Sequence, residues 1–289
     1  MADPAAGSAV DVESPGDGGS PHDVDTPGGA VFGARWSCES DPELARLLAT
    51  HAGVILVRLR GTLRGAPAAR LRAEGDQRAH EFLTAALHRL RPGDAVLSEE
   101  GADDLRRLDA DRVWIVDPLD GTREYADLDR RDWAVHVALW ERGELVAGAV
   151  ALPGLGPTLS SEDPPRPLSQ HGGPLRMLVS RSRPPGYAAA VAERIGAELL
   201  PMGSAGAKTM AVARGEADLY LHDGGQYEWD SAAPVAVALA AGLHASRVDG
   251  SPLRYNSRDP YQPDLLICRA TLSGLALAAI AELRVPQAG

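Results

Sequence analysis

The chain has 289 residues, 44% of them hydrophobic, with 40 acidic against 29 basic residues and a formal net charge of −11. That length is enough for one large domain or two ordinary ones. The acidic balance excludes nucleic-acid or anionic-membrane binding through bulk charge, so an anionic substrate needs cations or local Arg and Lys to hold it.

Cys38 and Cys268 lie far apart and form no metal-ligand spacing, so both are expected as free thiols in a reducing cytoplasm. No basic segment with an apolar core opens the chain, so no secretory signal is expected. The apolar stretch 265–283 is broken by Arg269 and Glu282 and reads as a strand followed by a helix, not as a membrane span. Lys208 is the only lysine among the 29 basic residues. A compositional bias toward arginine explains this blandly; the sharper reading is a site that needs a compact ammonium and not a planar fork.

Residues 1–38, rich in Gly, Pro, Ser, Ala and Asp, read as a disordered tail. Asp41 and Pro42 predict a helix start, with Asp41 as N-cap. Leu44, Leu47, Leu48, Ile55 and Leu59 form its apolar stripe. Residues 61–75 read as irregular, and a second helix is predicted from Asp76 to about Leu90, with Asp76 as its cap. After the turn at Pro92-Gly93, a short strand 95–97 ends at Ser98-Glu99-Glu100. Side chains alternate along a strand, so only one of the two glutamates should face a site.

Val113 to Val116 is an apolar, β-branched run, expected as a buried strand that stops at Asp117 because Pro118 cannot donate to a ladder. Asp117 and Asp120 then sit three apart on a tight turn ahead of Gly121 and Thr122. The plain alternative makes them turn residues. Carboxylates beside free backbone N–H groups also suit a hard cation together with a phosphate.

Residues 132–141 and 144–152 predict a hairpin turning at Arg142-Gly143. The Pro-rich loop that follows marks a boundary between an N-terminal α+β part, 39–155, and a C-terminal α/β part, 156–289. In the second part come a strand 175–179 ending in Ser180-Arg181-Ser182-Arg183, a helix 187–197 and a strand 198–202. A small-residue turn, 203–208, leads into a helix, and a strand 217–222 precedes the loop 223–228. Pro234 fits a first helical turn, which places the next helix start near Asp230, and Gly242 is its C-cap. A strand near His244, a turn at Asp249-Gly250, a strand 264–268 and a last helix complete the chain.

Three stretches stand in order: Leu97-Ser98-Glu99-Glu100, Asp117-Pro118-Leu119-Asp120-Gly121-Thr122, and Trp229-Asp230-Ser231-Ala232-Ala233. Together they resemble the metal-dependent, lithium-sensitive phosphatases of the inositol monophosphatase family. The resemblance implies a layered α-β-α-β-α sandwich, a mixed α+β and α/β fold, which the alternation of helices and strands matches. It also implies a Mg²⁺ cofactor. Asp117 would bridge two ions, Glu99 and the backbone carbonyl of Leu119 would complete the first, and Asp120 and Asp230 would hold the second. A third, weaker ion is implied near Glu99. Asp230 is equally a helix cap. Thr122 would orient or deprotonate the attacking water, with Asp76 accepting from its hydroxyl. The chain departs from the family's usual Ser-Pro-Val-Thr before that aspartate, reading Leu71-Arg72-Ala73-Glu74-Gly75, so Glu74 stays open as a substitute.

The stretches 121–125, 133–139, 179–182, 229–233 and 250–256 look like the 3′(2′),5′-bisphosphate nucleotidase branch, of the CysQ type. That branch removes the 3′-phosphate of 3′-phosphoadenosine 5′-phosphate, giving AMP, and that of its sulfated relative, in sulfate assimilation. Gly121 and Thr122 would cradle the phosphate. Ser180, Arg181, Ser204, Ala205, Lys208 and Asp223 would line the rest of the pocket. Arg183, Arg247 and Arg258 are further candidates for a second anion site, and Tyr227 or Trp229 for stacking on adenine. The family's usual form is a homodimer. Two alternatives remain: an inositol-1-phosphate or fructose-1,6-bisphosphate phosphatase on the same scaffold, and a Mg²⁺- or nucleotide-binding sensor without turnover.

Overall fold

The computed structural model describes Trp36, residues 39–166 and residues 172–284. Apart from Trp36, the expected tail lies outside the described residues. Helix α1 (Asp41–Thr62) is capped one residue earlier than expected: the Ser40 hydroxyl accepts from the Glu43 N–H at 3.4 Å. Asp41 instead holds Arg91 at 2.8 Å and Arg112 at 2.7 Å. Helix α2 (Ala68–Leu90) starts well before Asp76 and absorbs part of the stretch expected to be irregular. Pro67 precedes it, and an Arg70–Glu74 pair at 2.7 Å braces its first turns. Gly75 costs helix propensity but serves packing. A Cβ there would meet Tyr125 at 2.8 Å and Leu119 at 2.9 Å, so its absence lets α2 lie close on the segment after the buried strand.

The first sheet runs β1 (Ala95–Ser98), β2 (Arg112–Asp120), β3 (Ala134–Glu141), β4 (Glu144–Ala151), β5 (Leu159–Ser160), in that spatial order, with a short helix α3 (Thr122–Ala126) between β2 and β3. Only β1 and β2 are parallel. The second sheet contains β6 (Leu175–Ser180), β7 (Ala197–Met202), β8 (Leu219–Tyr227), β9 (Leu243–Ser246) and β10 (Tyr261–Arg269), in the order β7-β6-β8-β10-β9. Helices α4 (Ala188–Ile195), α5 (Ala205–Ala213), α6 (Glu228–Ala240) and α7 (Ser273–Leu283) complete the described residues.

Three cores separate five layers. Helices α1 and α2 cover one face of the first sheet, burying Leu44, Leu48, Leu83 and Leu87 against Trp114, Val116 and Val137. The opposite face presents Val113 and Ile115 to α5 and α6, which also cover the second sheet through Met210, Val235 and Ile267. Helices α4 and α7 close the far side with Val191 and Ile280 against Met177 and Leu266. Strand β2 is thus buried on both faces, which accounts for its unbroken apolar run. The layering is the expected α-β-α-β-α sandwich. No helix of the described residues is long and apolar enough to cross a membrane.

Candidate active site

The site grows from an irregularity in β2. The strand does not stop at Asp117, as the proline suggested; it continues to Asp120 around a bulge. Asp117 lies opposite His136 and Asp120 opposite Ala134, so three steps on β2 match two on β3. In a regular strand, residues three apart face opposite ways. The extra residue returns both carboxylates to one side, a usual effect of a bulge beside a site. Leu119 sits in the bulge, and its N–H donates to Asp117 Oδ1 at 3.0 Å. Gly121 then turns the chain at φ +85°, where a Cβ would lie 3.2 Å from Ser204 and 3.3 Å from the Asp132 carbonyl. Thr122 opens α3 directly after it.

Asp230 arrives from α6. That helix begins at Glu228, two residues before the expected start, so Pro234 lies in the second turn and leaves the Asp230 carbonyl without its helical N–H partner. Asp230 Oδ2 accepts the Tyr227 N–H at 2.7 Å, so the residue caps its helix and also faces the cluster. Buried Glu228 accepts from the N–H groups of Asn256 at 2.7 Å and Ser257 at 2.8 Å, pinning the helix start. One oxygen each from Asp117, Asp120 and Asp230 lies within 4.8 Å of the others. Glu99, in the turn after β1, shares a side-chain hydrogen bond with Asp117. Both glutamates lie beyond the end of the strand, so alternation does not separate them; Glu99 turns to Asp117, while Glu100 crowds Asp76.

The electrostatics divide the cluster. Burial, then Glu99, Asp120 and Asp230, push the Asp117 carboxyl well above the usual range. Burial and Asp120 raise Asp230 to about 7. Desolvation and then the neighbouring carboxylates Glu100, Asp120 and Asp76 also raise Glu99 to about 7, although its surface is exposed. Asp120 goes the other way: burial works to raise it, but His136, Lys208 and Ser204 outweigh burial and hold it at about 2. Asp120 Oδ2 accepts from the Ser204 hydroxyl at 2.5 Å and the Gly206 N–H at 2.7 Å. His136 Nε2 stands 3.2 Å away and is the strongest of the groups that lower Asp120. A Cβ at residue 206 would lie 2.1 Å from the same nitrogen, so Gly206 makes room for the imidazole.

A cavity of about 200 Å³ opens beside the cluster, lined by Gly121, Thr122, Ser180, Ser204, Ala205 and Lys208 among others. These six expected residues are brought together with Asp120 and Asp230. Ser204 holds a strained φ of +50° while capping α5 through Ala207. Lys208 is buried; its ammonium donates to the carbonyls of Gly203 at 3.2 Å and Ser204 at 2.6 Å, and burial lowers it to about 8.

Other expectations are placed differently. Arg181 does not line the cavity, because its guanidinium is paired with Glu124. Asp223 belongs to a neighbouring cavity of about 810 Å³ and pairs with Arg284 at 3.2 Å. Arg247 is bound to Asp264 at 2.6 Å, and Arg258 is exposed away from both cavities. Tyr227 stacks on Trp229 at 4.9 Å, outside both cavity linings, and Trp229 packs against the middle core. Asp76 sits mid-helix, half-buried, and is raised to about 7 by burial and then by Glu100. Glu74 is turned away to Arg70. Among the described residues no hydrogen bond joins Asp76 to Thr122. Sequence reasoning missed His136, Glu124, His222 and Gln226 as site residues. A lone polar residue in an otherwise apolar strand was the available signal for His136 and His222.

The chain matches the inositol monophosphatase family over residues 59–284. It is 48% identical, over 84% of its length and 94% of the relative's, to a protein of Mycobacterium leprae named 3′-phosphoadenosine 5′-phosphate phosphatase. It is 32% identical, over 64% of its length and 80% of the relative's, to the 3′(2′),5′-bisphosphate nucleotidase CysQ of Escherichia coli. Among solved structures, CysQ from Bacteroides thetaiotaomicron superposes with a TM-score of 0.68 at 28% identity, covering 78% of this chain and 96% of that one. An acidic cluster carried on a strand bulge and a helix start, in a five-layer sandwich, agrees with these matches, and the chain belongs to the inositol monophosphatase family.

Proposed function

We propose that the protein is a Mg²⁺-dependent phosphomonoesterase that removes the 3′-phosphate of 3′-phosphoadenosine 5′-phosphate, and of its sulfated relative, to serve sulfate assimilation. The observation that carries the chemistry is the cluster itself. Among the described residues no guanidinium or ammonium is bonded to Asp117, Asp230 or Glu99, the His136 ring stands 3.9 Å from Asp117, and the three carboxyls are still driven upward. Hard oxygen donors crowded in this way fit a divalent cation. Asp117, Asp120, Asp230, Glu99 and the Leu119 carbonyl would hold two Mg²⁺, with a third near Glu99. Bound there, the metal supplies charge that polarises the phosphate and acidifies water.

The protein's own groups do the rest. The N–H groups around Gly121 and Thr122 receive phosphate oxygens. Thr122 Oγ1 orients the water, and Asp76 is the nearby carboxyl that takes up its proton. The water oxygen bonds to phosphorus, the ester P–O bond breaks, and the 3′ oxygen leaves as an alkoxide that takes its proton from solvent water, while the proton held by Asp76 returns to solvent. Ser204 holds Asp120 in place, and Lys208 offsets its charge from beneath the cavity floor. The names of the relatives near 50% identity support the nucleotide over a sugar phosphate. We place the enzyme in the cytoplasm, as a homodimer.

Phosphate release with Mg²⁺, measured for this nucleotide, inositol 1-phosphate and fructose 1,6-bisphosphate, tests the proposal. A kcat/KM higher by tenfold or more for the nucleotide, about 1.4 kcal/mol of transition-state preference, supports it. A sugar-phosphate preference keeps the metal chemistry and overturns the substrate. Binding of Mg²⁺ with no release from any of the three leaves a sensor.

A further inference from the structure

The carboxylates of the cluster arrive from distant parts of the chain. Glu99 follows β1, and Asp230 rides on the first turn of α6. Like charges repel, so the spacing of these segments must be held by something other than the carboxylates themselves.

The tie lies outside both cavity linings. Residues 254–257 grip α6 on either side of Asp230. The N–H groups of Asn256 and Ser257 donate to Glu228 at 2.7 and 2.8 Å, and the Tyr255 hydroxyl lies 3.2 Å from that of Ser231. Asn256 sits at φ +58°, a left-handed conformation that asparagine tolerates better than most residues. The turn presents two successive N–H groups to one carboxylate.

The other end of the tie is Arg107, in a short 3₁₀ turn (Leu105–Asp109) on the segment that leaves Glu99. Arg107 is only 1% exposed. Its Nε and Nη2 donate to Asp103 at 2.7 and 2.9 Å. Its Nη1 donates to Asn256 Oδ1 at 2.7 Å, and Nη2 also reaches the Ser257 carbonyl at 2.8 Å. Asn256 Nδ2 returns a bond to the Arg107 carbonyl at 3.1 Å. Only an amide both accepts from the guanidinium and donates to the carbonyl in this way. Apolar packing would join the two segments at least as stably as a buried charge. What the fork adds is direction.

We propose that Arg107 and Asn256 are positioning residues for the cation cluster: they lock the segment after Glu99 to the residues flanking Asp230, and so hold the carboxylates of β1 and α6 at one spacing. The proposal rests on the phosphatase reading above.

The test measures Mg²⁺ affinity by calorimetry without substrate, stability without metal, and kcat and KM for 3′-phosphoadenosine 5′-phosphate at saturating Mg²⁺. The proteins are wild type, N256G, N256D, R107K and V191A. N256G cuts the side-chain link to Arg107 but keeps the N–H to Glu228 and suits the positive φ. N256D keeps the acceptor for Arg107. V191A loosens the core between the second sheet and α4, away from the site, and reports what lost stability does alone. Mg²⁺ binding about tenfold weaker is expected in N256G, with kcat lowered and KM nearly unchanged. R107K should lose as much, and N256D should recover most of the affinity. V191A should lose stability and keep the wild-type affinity. An N256G protein that loses stability but binds Mg²⁺ as V191A does overturns the proposal, because the tie is then structural only. An N256G protein indistinguishable from wild type also overturns it. If R107K does not fold, N256G and N256D decide. Affinity lost in N256G and recovered in N256D, in a protein that releases no phosphate, supports the tie and overturns the phosphatase reading. A wild type that binds no Mg²⁺ overturns both.

Discussion

Two groups of buried aspartates show opposite uses of the same residue. Around Asp264 every charge has a partner. Its carboxylate binds Arg247 at 2.6 Å and Arg284 at 3.1 Å, and accepts the Val248 N–H at 2.9 Å. Burial works to raise it, yet these contacts hold it below its usual value. Around Asp117 stand Glu99, Asp120 and Asp230, with the His136 ring 3.9 Å away, and the carboxyl is driven up. The first group is an internal tie within the second sheet. The second is an incomplete set of charges that a cation completes. Placing carboxylates together without arginine weakens the metal-free fold and provides a binding site, a trade of stability for function.

Asp117→Asn should break the contrast most sharply. Asparagine keeps the acceptor for the Leu119 N–H but removes the charge. Turnover should fall by at least about 10³-fold, about 4 kcal/mol of barrier, while the metal-free protein gains about 1 kcal/mol of stability. Activity near wild type, or a metal-free protein that melts lower, would contradict the assignment.

Asp264→Asn should do the reverse, destabilising by about 3 kcal/mol, because two guanidinium groups lose their partner. The pH dependence sharpens this. Asp264 has a depressed folded pKa, so its contribution is fully present above the unfolded value near 4 and is lost as pH falls through the folded one. Denaturation curves of variant and wild type should therefore converge in acid; a constant gap down to pH 2 would remove the charge from the explanation.

Mg²⁺ should stabilise wild type by about 2.7 kcal/mol at one hundred times its dissociation constant. The same titration should barely move the melting point of Asp117→Asn, and equal shifts in both proteins would place the ion elsewhere. The smallest effect is expected at Gly75→Ala. Its Cβ meets Tyr125 and Leu119 at 2.8 and 2.9 Å, so α2 must move. A loss of about 2 kcal/mol is expected. A fall in kcat should accompany it, since Asp76 rides on the same helix; a stability loss with unchanged kcat would detach Asp76 from the chemistry.

Much of this was readable in the chain. The apolar run at 113–116, the hairpin with its turn at Arg142-Gly143 and the strand at 175–179 follow from pattern alone, and the acidic stretches from resemblance to a family. Errors fell where tertiary packing overrides local rules. Pro118 signalled a strand end, but a bulge carried β2 on to Asp120. Residues 61–75 read as irregular, but α2 begins at Ala68 and Gly75 lets it lie close on Tyr125 and Leu119. Asp76 therefore lies inside a helix and not at its cap. Arg181 and Asp223 are expected at the pocket from the resemblance, and no local signal shows that Glu124 and Arg284 pair with them.

By itself the sequence determined the kinds of chemistry available: which segments are buried strands, which carry carboxylates, and that three acidic stretches occur in a family's order. The first two depend on periodicity and residue type, which are local; the third depends on resemblance to a family. Only the tertiary structure decided which carboxylates lose their partners. Charge compensation depends on neighbours brought together from distant parts of the chain. Asp264 is quiet because Arg247 and Arg284 reach it. Asp117 is poised because three carboxylates crowd it and, among the described residues, no guanidinium or ammonium is bonded to it.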